Sequence, residues 1–136
     1  MPKENNVTAA IVDAAVQVRQ ELGPGLLESV YEEVLAYELV QRGINVARQV
    51  PVPVIYRGLR FEIGFRADLL VENLVVVELK SVVEISAAHR KQIQTYVRLM
   101  NQRVGLLLNF GAALMKDGIV RAVNKLPETD RSSPNQ

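Results

Sequence analysis

Cysteine is absent from the 136-residue chain, which excludes disulfides, thiolate zinc sites and cysteine-held iron–sulfur clusters. The single histidine, His89, leaves little scope for a His-rich metal site. No apolar run approaches the ~20 residues that a membrane helix needs, and the N-terminal MPKENNVTAA lacks the apolar core of a signal peptide. We therefore expect a soluble protein, with no membrane partner, in the reducing cytoplasm.

A strong charge of either sign is also missing, because 16 basic and 15 acidic residues leave a formal net charge of +1. Nucleic-acid-binding domains are usually strongly basic overall or carry a basic patch, so the net charge does not by itself indicate such a role. Two local basic clusters are equally compatible with solvated faces and with phosphate contacts. They are Arg42, Arg48, Arg57, Arg60 and Arg66, and then His89, Arg90, Lys91, Arg98 and Arg103.

Apolar residues, by contrast, make up 49% of the chain. A chain of this length and composition is typical of one globular domain that buries roughly two-thirds of its unfolded surface. We assign residues 1–126 to this single domain and predict that the polar residues 127–136 form a disordered tail.

Apolar residues at helical spacing predict a first helix over residues 8–22, which Gly23-Pro24-Gly25 ends. A second helix is predicted over residues 26–42, with Gly43 as its C-cap. Together they would form an N-terminal helical hairpin.

Strands are predicted by β-branched and apolar runs over residues 46–56, 59–71, 74–82, 104–109 and 118–123. Pro51 and Pro53 place the first strand at an edge, since proline donates no ladder hydrogen bond. Ser86 is a good N-cap for a helix over residues 87–101. Because this helix connects two strands, we expect a mixed sheet in which the strand over residues 104–109 is parallel to an earlier one.

The stretch GFRADLLVENLVVVELKS carries charged residues within a predicted apolar hairpin. Glu78 and Lys80 are two apart on a strand, so they point to the same face. Burying such charges without partners costs several kcal/mol. In the simplest explanation they form an ordinary salt bridge on a half-exposed strand.

Asp68 complicates that explanation. If the loop of this hairpin is centred on Asn73, Asp68 lies opposite Glu78 and Leu70 opposite Val76. A two-residue turn at Glu72-Asn73 would instead send the two carboxylates to opposite faces. Adjacent carboxylates repel unless one is protonated or a cation lies between them.

An Asp and a Glu sharing one point, with no thiolates nearby, suit a hard divalent cation such as Mg²⁺ or Mn²⁺. Such an ion can acidify a bound water and stabilise charge on a phosphoryl oxygen. Lys80, on the same face, could orient or deprotonate the attacking water and offset phosphate charge. The outline is that of a phosphodiester-cleaving site with Asp68, Glu78 and Lys80 as catalytic residues.

Asp68 followed by Glu78-Leu79-Lys80 resembles the D…(D/E)xK signature of the PD-(D/E)XK nuclease superfamily, with Ala67 where the name expects proline. The predicted αβββαβ order resembles that superfamily's core. Gln92 and Tyr96 are similar to the QxxxY element of its RecB-like branch, and the stretch from Gly25 to Tyr31 to the motif of the GxxExxY family. The resemblance implies a restriction-endonuclease-like α/β fold with an extra N-terminal helix, and a metal-dependent nuclease that acts on DNA.

The resemblance also implies roles for the remaining motif residues. Glu28 would join Asp68 and Glu78 as a metal ligand. Alternatively, it is only an acidic residue near a helix N-terminus, where the helix dipole stabilises its negative charge. Gln92 and Tyr96 would touch substrate phosphate or hold Lys80, although Tyr96 fits a core position equally well. The other supporting candidates are Tyr31, which is better explained by packing, and the basic pair Arg90 and Lys91.

Two further possibilities stay open at this stage. A chain with this fold and modest net charge could bind nucleic acid or a protein partner without cleaving at a useful rate. The proline-bearing edge strand in a compact domain is also compatible with a homodimer.

Overall fold

The computed structural model describes residues 3–62 and 64–125, so the tail predicted for residues 127–136 lies outside the described part. The described residues form three helices, α1 (Lys3–Leu22), α2 (Glu28–Gln41) and α3 (Ala87–Leu99), with a short 3-10 helix at Met115–Gly118. The strands are β1 (Val46–Pro51), β2 (Val54–Tyr56), β3 (Leu59–Phe61), β4 (Arg66–Val71), β5 (Val75–Lys80), β6 (Val104–Asn109) and β7 (Ile119–Val123).

The central sheet has five strands in the order β1-β4-β5-β6-β7. β5 and β6 pair in parallel across the α3 crossover, whereas the other neighbours are antiparallel. The prediction of a mixed sheet with a parallel pair is confirmed, and β1, with Pro51, lies at an edge as expected. The predicted αβββαβ core is formed by α2, β1, β4, β5, α3 and β6, and α1 is the extra N-terminal helix.

Two predicted strands are wrong in extent. The run over residues 46–56 is divided into β1 and β2, and the run over residues 59–71 into β3 and β4. β2 and β3 pair only with each other, through a turn at Arg57 (φ 51°) and Gly58 (φ 79°). Positive φ at both turn positions is typical of a tight two-residue hairpin. This hairpin leaves the main sheet between β1 and β4.

The helices also differ slightly from their predicted bounds. α1 begins at Lys3, five residues before the predicted start. The sequence did not predict this first turn because its residues are polar and show no apolar periodicity. Glu4 in that turn suits the positive end of the helix dipole. α2 begins at Glu28, since Leu26 and Leu27 belong to the preceding turn and Leu27 has extended backbone angles.

The sheet is buried on both faces. α1 and α2 cover one face and form the first core, which includes Ile11, Leu35, Leu39, Leu69, Leu79 and Phe110. α3 covers the other face and forms the second core, which includes Val52, Ala67, Val76, Ile93, Val97 and Leu107. Such burial is worth about 1.5–3 kcal/mol for each large apolar side chain. Burial on both faces explains why β5 and β6 are almost continuously apolar.

α3 lies unusually close to β6 at Gly105. A Cβ atom at that position would be 2.4 Å from Val97 Cγ2 and 3.0 Å from Ile93 Cδ1. Glycine therefore sets the distance between the helix and the sheet. Within the described residues, no helix combines the length and the apolarity that crossing a membrane requires.

Candidate active site

The turn between β4 and β5 sets the register of the two charged strands. Glu72 and Asn73 both have positive φ, and the Leu74 N–H donates to the Val71 carbonyl at 2.9 Å, as in a two-residue turn. Pairing nevertheless resumes at Val71↔Val75, so Leu74 is an extra residue, and its side chain packs against the first core. Leu70 pairs with Val76, which confirms the loop centred on Asn73. The same count places Asp68 opposite Glu78.

Where the backbone pairing of β4 and β5 ends, the carboxylates of Asp68 and Glu78 accept the backbone hydrogen bonds between the two strands. The last ladder pair is Leu69↔Val77. Beyond it, the Asp68 N–H donates to Glu78 Oε1 at 2.8 Å, and the Leu79 N–H donates to Asp68 Oδ2 at 2.9 Å. Each carboxylate is thus held by the backbone of the opposite strand, and the two acids lie side by side.

Burial and mutual repulsion make it costly to ionise both acids. Glu78 is only 5% exposed, and burial, reinforced by the negative charge of Asp68, raises its pKa to about 8. The Asp68 amide and the charge of Lys80 oppose this rise. Burial also raises the pKa of Asp68, against the Leu79 hydrogen bond and with help from the charges of Glu32 and Glu28. Such a pair favours either a shared proton or a cation.

Glu28 lies near this pair, at the first position of α2. It lines an open cavity of about 480 Å³ together with Asp68, Glu32 and Ser81. Its negative charge raises the pKa of both Asp68 and Glu78. Across residues 3–62 and 64–125, however, no three acidic or histidine side chains converge closely enough to hold a metal ion. The ligand set of Glu28, Asp68 and Glu78 therefore stays a prediction.

Tyr31 fixes the loop that leads to Glu28. Its side chain is fully buried, and its ring stacks on Phe110 with centroids 4.4 Å apart. The Tyr31 hydroxyl donates to the Gly23 carbonyl and accepts the Leu26 N–H at 3.2 Å. Ser81 Oγ donates to the Leu26 carbonyl at 2.8 Å and ties the loop to the end of β5. These contacts favour the packing role for Tyr31.

Lys80 is half-buried at the end of β5. None of the ion pairs found in the described part of the chain includes it, so the simple Glu78–Lys80 salt bridge is not observed. Its positive charge still acts on Glu78, whose pKa it lowers. The ammonium is therefore close to the carboxylates without being neutralised by a direct contact.

Two residues near Asp68, Glu32 and Gln49, were not identified from the sequence. Glu32 is 7% exposed and accepts hydrogen bonds from Arg48 Nε at 3.1 Å and Gln49 Nε2 at 2.9 Å. Gln49 Nε2 also lies 3.4 Å from Asp68 Oδ1, so it links α2 to the carboxylate pair. Gln49 has a φ of 52°, which no sequence pattern indicates. The one signal that the sequence offered was Glu32, an acidic residue on the inner face of α2.

The regular alternation of β4 breaks at Asp68. Ala67 packs in the second core, whereas Leu69, two residues later, packs in the first. The pairing with β1 continues without an extra residue on either strand, from Arg48↔Leu69 to Val50↔Ala67. Asp68 lies at this change of face, and it borders the cavity that Glu28 and Glu32 of α2 also line.

The start of α3 brings its basic residues to the surface. Ser86 caps the helix as predicted, because its hydroxyl accepts the His89 N–H at 3.2 Å. His89 Nδ1 accepts the Ser86 N–H at 3.0 Å and takes the place that Glu or Gln has in a capping box. His89 thus serves the helix end, while Arg90 and Lys91 are exposed.

Gln92 and Tyr96 share a face of α3. Gln92 Nε2 donates to the Tyr96 hydroxyl at 3.3 Å, and Tyr96 is 6% exposed in the second core. Burial raises the pKa of Tyr96, and the charges of Glu78 and Asp68 raise it further. Gln92 Oε1 is buried and has no hydrogen-bond partner among the described residues. Buried polar atoms usually have a hydrogen-bond partner, so this amide oxygen is available to accept a further hydrogen bond.

Comparison with known proteins assigns the chain to a family. The model of the PD-(D/E)XK nuclease superfamily matches residues 5–122. No curated protein matches the chain. One similar solved structure, described as "Crystal structure of SSO0001", has a TM-score of 0.45 and 21% identity over 88% of this chain and 69% of that chain. A likeness at that level supports no conclusion about activity. The family match alone spans most of the 136 residues, and the chain therefore belongs to the PD-(D/E)XK nuclease superfamily.

Proposed function

We propose that this protein is a divalent-metal-dependent nuclease that hydrolyses phosphodiester bonds in DNA. The observation that carries the proposal is the pair of adjacent, partly and fully buried carboxylates of Asp68 and Glu78, with Lys80 beside them. Membership of the nuclease superfamily supports hydrolase activity on nucleic acid. Within the superfamily we place the chain in the RecB-like branch on Gln92 and Tyr96. We place it in the GxxExxY family on the motif that Gly25 begins.

The donor atoms suit a hard cation. Glu78 Oε1 and Asp68 Oδ2 accept backbone hydrogen bonds, which leaves one oxygen of each carboxylate for a ligand. Gln49 contacts the remaining Asp68 oxygen only at 3.4 Å. Oxygen donors without thiolates favour Mg²⁺ or Mn²⁺. Glu28, exposed at the start of α2, is the candidate third ligand because it lines the same open cavity as Asp68.

A bound divalent ion would acidify water and stabilise charge on a phosphoryl oxygen. The chain's own residues would do the rest. Lys80, which has a positive charge but no ion pair in the described structure, would offset phosphate charge and orient the attacking water. Gln92 Oε1 would accept a hydrogen bond from the Lys80 ammonium or from a water at the site, since it lacks a donor now. Arg90 and Lys91, exposed at the start of α3, would contact phosphate.

The direct test is cleavage of a mixed panel of single-stranded and duplex DNA and RNA by the purified protein. We expect cutting of DNA with Mg²⁺ or Mn²⁺, no cutting in chelator, and loss of at least 100-fold in rate for Lys80→Ala and Asp68→Asn. Lys116→Ala and Asp117→Asn are matched controls, because both residues are exposed on the short 3-10 helix. Metal-dependent cutting that survives both site substitutions would overturn the proposal.

A second candidate is a module that binds nucleic acid or a protein partner without useful cleavage. It is favoured by one observation, namely that no three metal-ligating side chains converge in the described residues. Calorimetric titration with Mg²⁺ and Mn²⁺ separates the two candidates. The nuclease must bind the ion through Asp68 and Glu78. The binding module would retain DNA in a salt-dependent way without taking up the ion. For either function we propose the cytoplasm as the site of action.

A further inference from the structure

The β2–β3 hairpin is a two-stranded sheet that stands apart from the central sheet. An isolated two-stranded sheet is marginally stable in water, so exposed apolar residues on it are costly unless they serve a partner. Here Ile55 is 58% exposed, Tyr56 60% and Leu59 63%. The hairpin therefore presents large side chains to the surface that its own fold does not bury.

One face of the hairpin is aromatic and apolar. The cross-strand pairs are Val54↔Phe61 and Tyr56↔Leu59, so these four residues share a face. Phe65, which follows the hairpin, is 51% exposed and meets the Tyr96 ring edge-on with centroids 6.2 Å apart. Exposed aromatic rings thus occur both on the hairpin and beside α3.

The segment that contains the hairpin is also one of the two basic stretches of the chain. Residues 48–66 hold four arginines and one glutamate, a net charge of +3 in a protein whose total is +1. The Arg57 guanidinium lies 5.3 Å from the centroid of the Tyr56 ring. Arg60 pairs with Glu62, and Arg48 with Glu32. Rings combined with arginines match the two features of nucleic acid, bases and phosphates, better than they match a purely apolar partner.

The hairpin begins where the candidate active site lies. It extends the β1–β4 pair beyond Pro51↔Arg66, and the Val52 N–H donates to the Phe65 carbonyl at 2.9 Å at its base. Asp68 is only two residues beyond Arg66. A strand of nucleic acid held on the hairpin would therefore lead toward the carboxylate pair.

We propose that the Tyr56 face of the hairpin binds unpaired nucleotides, with a base stacked on Tyr56 and a phosphate contacted by Arg57. A base can stack on a side chain only if it is not already stacked between neighbouring bases of a duplex. The substrate class is therefore single-stranded nucleic acid, or a single-stranded end or flap. The inference deepens the proposed nuclease function and rests on it for what happens to the bound strand. The binding step itself requires neither metal nor cleavage.

The test is fluorescence anisotropy in chelator with three probes of equal length: a single strand, the same strand with abasic sites, and a blunt duplex. We expect Tyr56→Ala to weaken binding of the single strand by roughly 5- to 100-fold, the range for loss of one stacked base. The abasic probe should bind the wild type and Tyr56→Ala about equally. Tyr37→Ala is the matched control, because Tyr37 is 64% exposed on α2, and it should stay within about twofold of wild type.

Three results would overturn the inference. Equal binding of the single strand by wild type and Tyr56→Ala is the first. The second is preference for the blunt duplex with no dependence on Tyr56. The third is a wild-type dimer in sedimentation velocity that Tyr56→Ala converts to a monomer, since the face would then bind a second copy. Thermal unfolding of each variant shows that it is folded.

The same variants separate this inference from the proposed function. If the protein binds the single strand in a Tyr56-dependent way but shows no metal-dependent cutting, the proposed binding by the hairpin is supported and the proposed nuclease function is rejected. Tyr56→Ala is also assayed for metal-dependent cutting of single strands at substrate concentrations below saturation. If it cuts them at the wild-type rate, the proposed nuclease function is supported and the proposed binding by the hairpin is rejected.

Discussion

At the scale of single residues, the ionisation of Glu78 depends strongly on folding. In the unfolded chain its carboxyl group titrates at its usual pKa of 4.5, whereas the folded environment raises that pKa to about 8. Between these values the folded protein holds a proton that the unfolded chain has released. The Glu78 contribution to the free energy of unfolding is therefore complete at acidic pH and declines as the pH rises through this window.

We predict that Glu78→Gln removes this pH dependence. In chelator, the wild-type free energy of unfolding should fall by up to about 1.4 kcal/mol for each pH unit between pH 5 and pH 8, relative to the variant. The reason is that glutamine imitates the neutral acid at every pH. Urea unfolding at several pH values measures both slopes, with Glu33→Gln as a control at an exposed position of α2. Parallel slopes for wild type and Glu78→Gln would contradict the prediction.

At the scale of secondary structure, the close contact between α3 and β6 sets the distance of the Gln92–Tyr96 face from the central sheet. Gly105 permits the contact, since an added Cβ would be 2.4 Å from Val97 Cγ2. Valine in a helix has one strongly preferred rotamer, so Val97 cannot turn away cheaply. The helix itself would have to move.

We predict that Gly105→Ala destabilises the protein by about 1–3 kcal/mol, the usual cost of overpacking a core. Urea unfolding measures the loss. Val97→Ala removes the atom in conflict, so the double variant Gly105→Ala/Val97→Ala should be more stable than the sum of the two single effects implies. Strict additivity would show that the close contact with Val97 is not the cause.

The sequence indicates most of these elements, but tertiary packing decides their details. The N-cap Ser86 predicts the start of α3, and the prolines predict that β1 lies at an edge. The loop after β4 was ambiguous, because Glu72-Asn73 forms a turn compatible with either register. Leu74 resolves it by packing against the first core. That contact depends on helices distant in sequence, so local patterns could not reveal it.

The parts of the site that the sequence missed have the same origin. The β2–β3 hairpin was hidden in two long β-branched runs, because propensity does not show where a strand leaves its sheet. The Glu32–Gln49–Asp68 link was missed because it joins α2, β1 and β4 through a backbone conformation at Gln49 that only the folded chain imposes. Asp68, Glu78 and Lys80 were identifiable because their charge contradicts their apolar surroundings.

At the scale of the whole molecule, the candidate metal site exists only in the folded state. Asp68 and Glu78 come together through the hairpin register, and Glu28 comes from a helix some forty positions earlier in the chain. An ion that binds such a site binds the native state and not the unfolded chain. It must therefore stabilise the entire domain by linkage. The homodimer suggested by the edge strand β1 stays a prediction of the sequence.

We predict that Mg²⁺ or Mn²⁺ raises the thermal midpoint of the wild type. An ion concentration of 100 times the dissociation constant is worth about 2.7 kcal/mol, which corresponds to several degrees for a domain of this size. Differential scanning calorimetry at pH 8, against NaCl at matched ionic strength, measures the shift. Asp68→Asn and Glu78→Gln should abolish it, and Asp117→Asn, at an exposed position, should preserve it.

The Glu28→Gln variant tests whether the Glu28 carboxylate takes part in binding the metal ion. A ligand supplied by α2 would make the shift smaller in this variant, because one oxygen donor and one negative charge are lost. A full shift in Glu28→Gln would confine the site to the β4–β5 hairpin and leave Glu28 as a helix-terminal charge. An undiminished shift in Asp68→Asn would show instead that the ion binds elsewhere on the protein, and the metal site at the paired carboxylates would have to be abandoned.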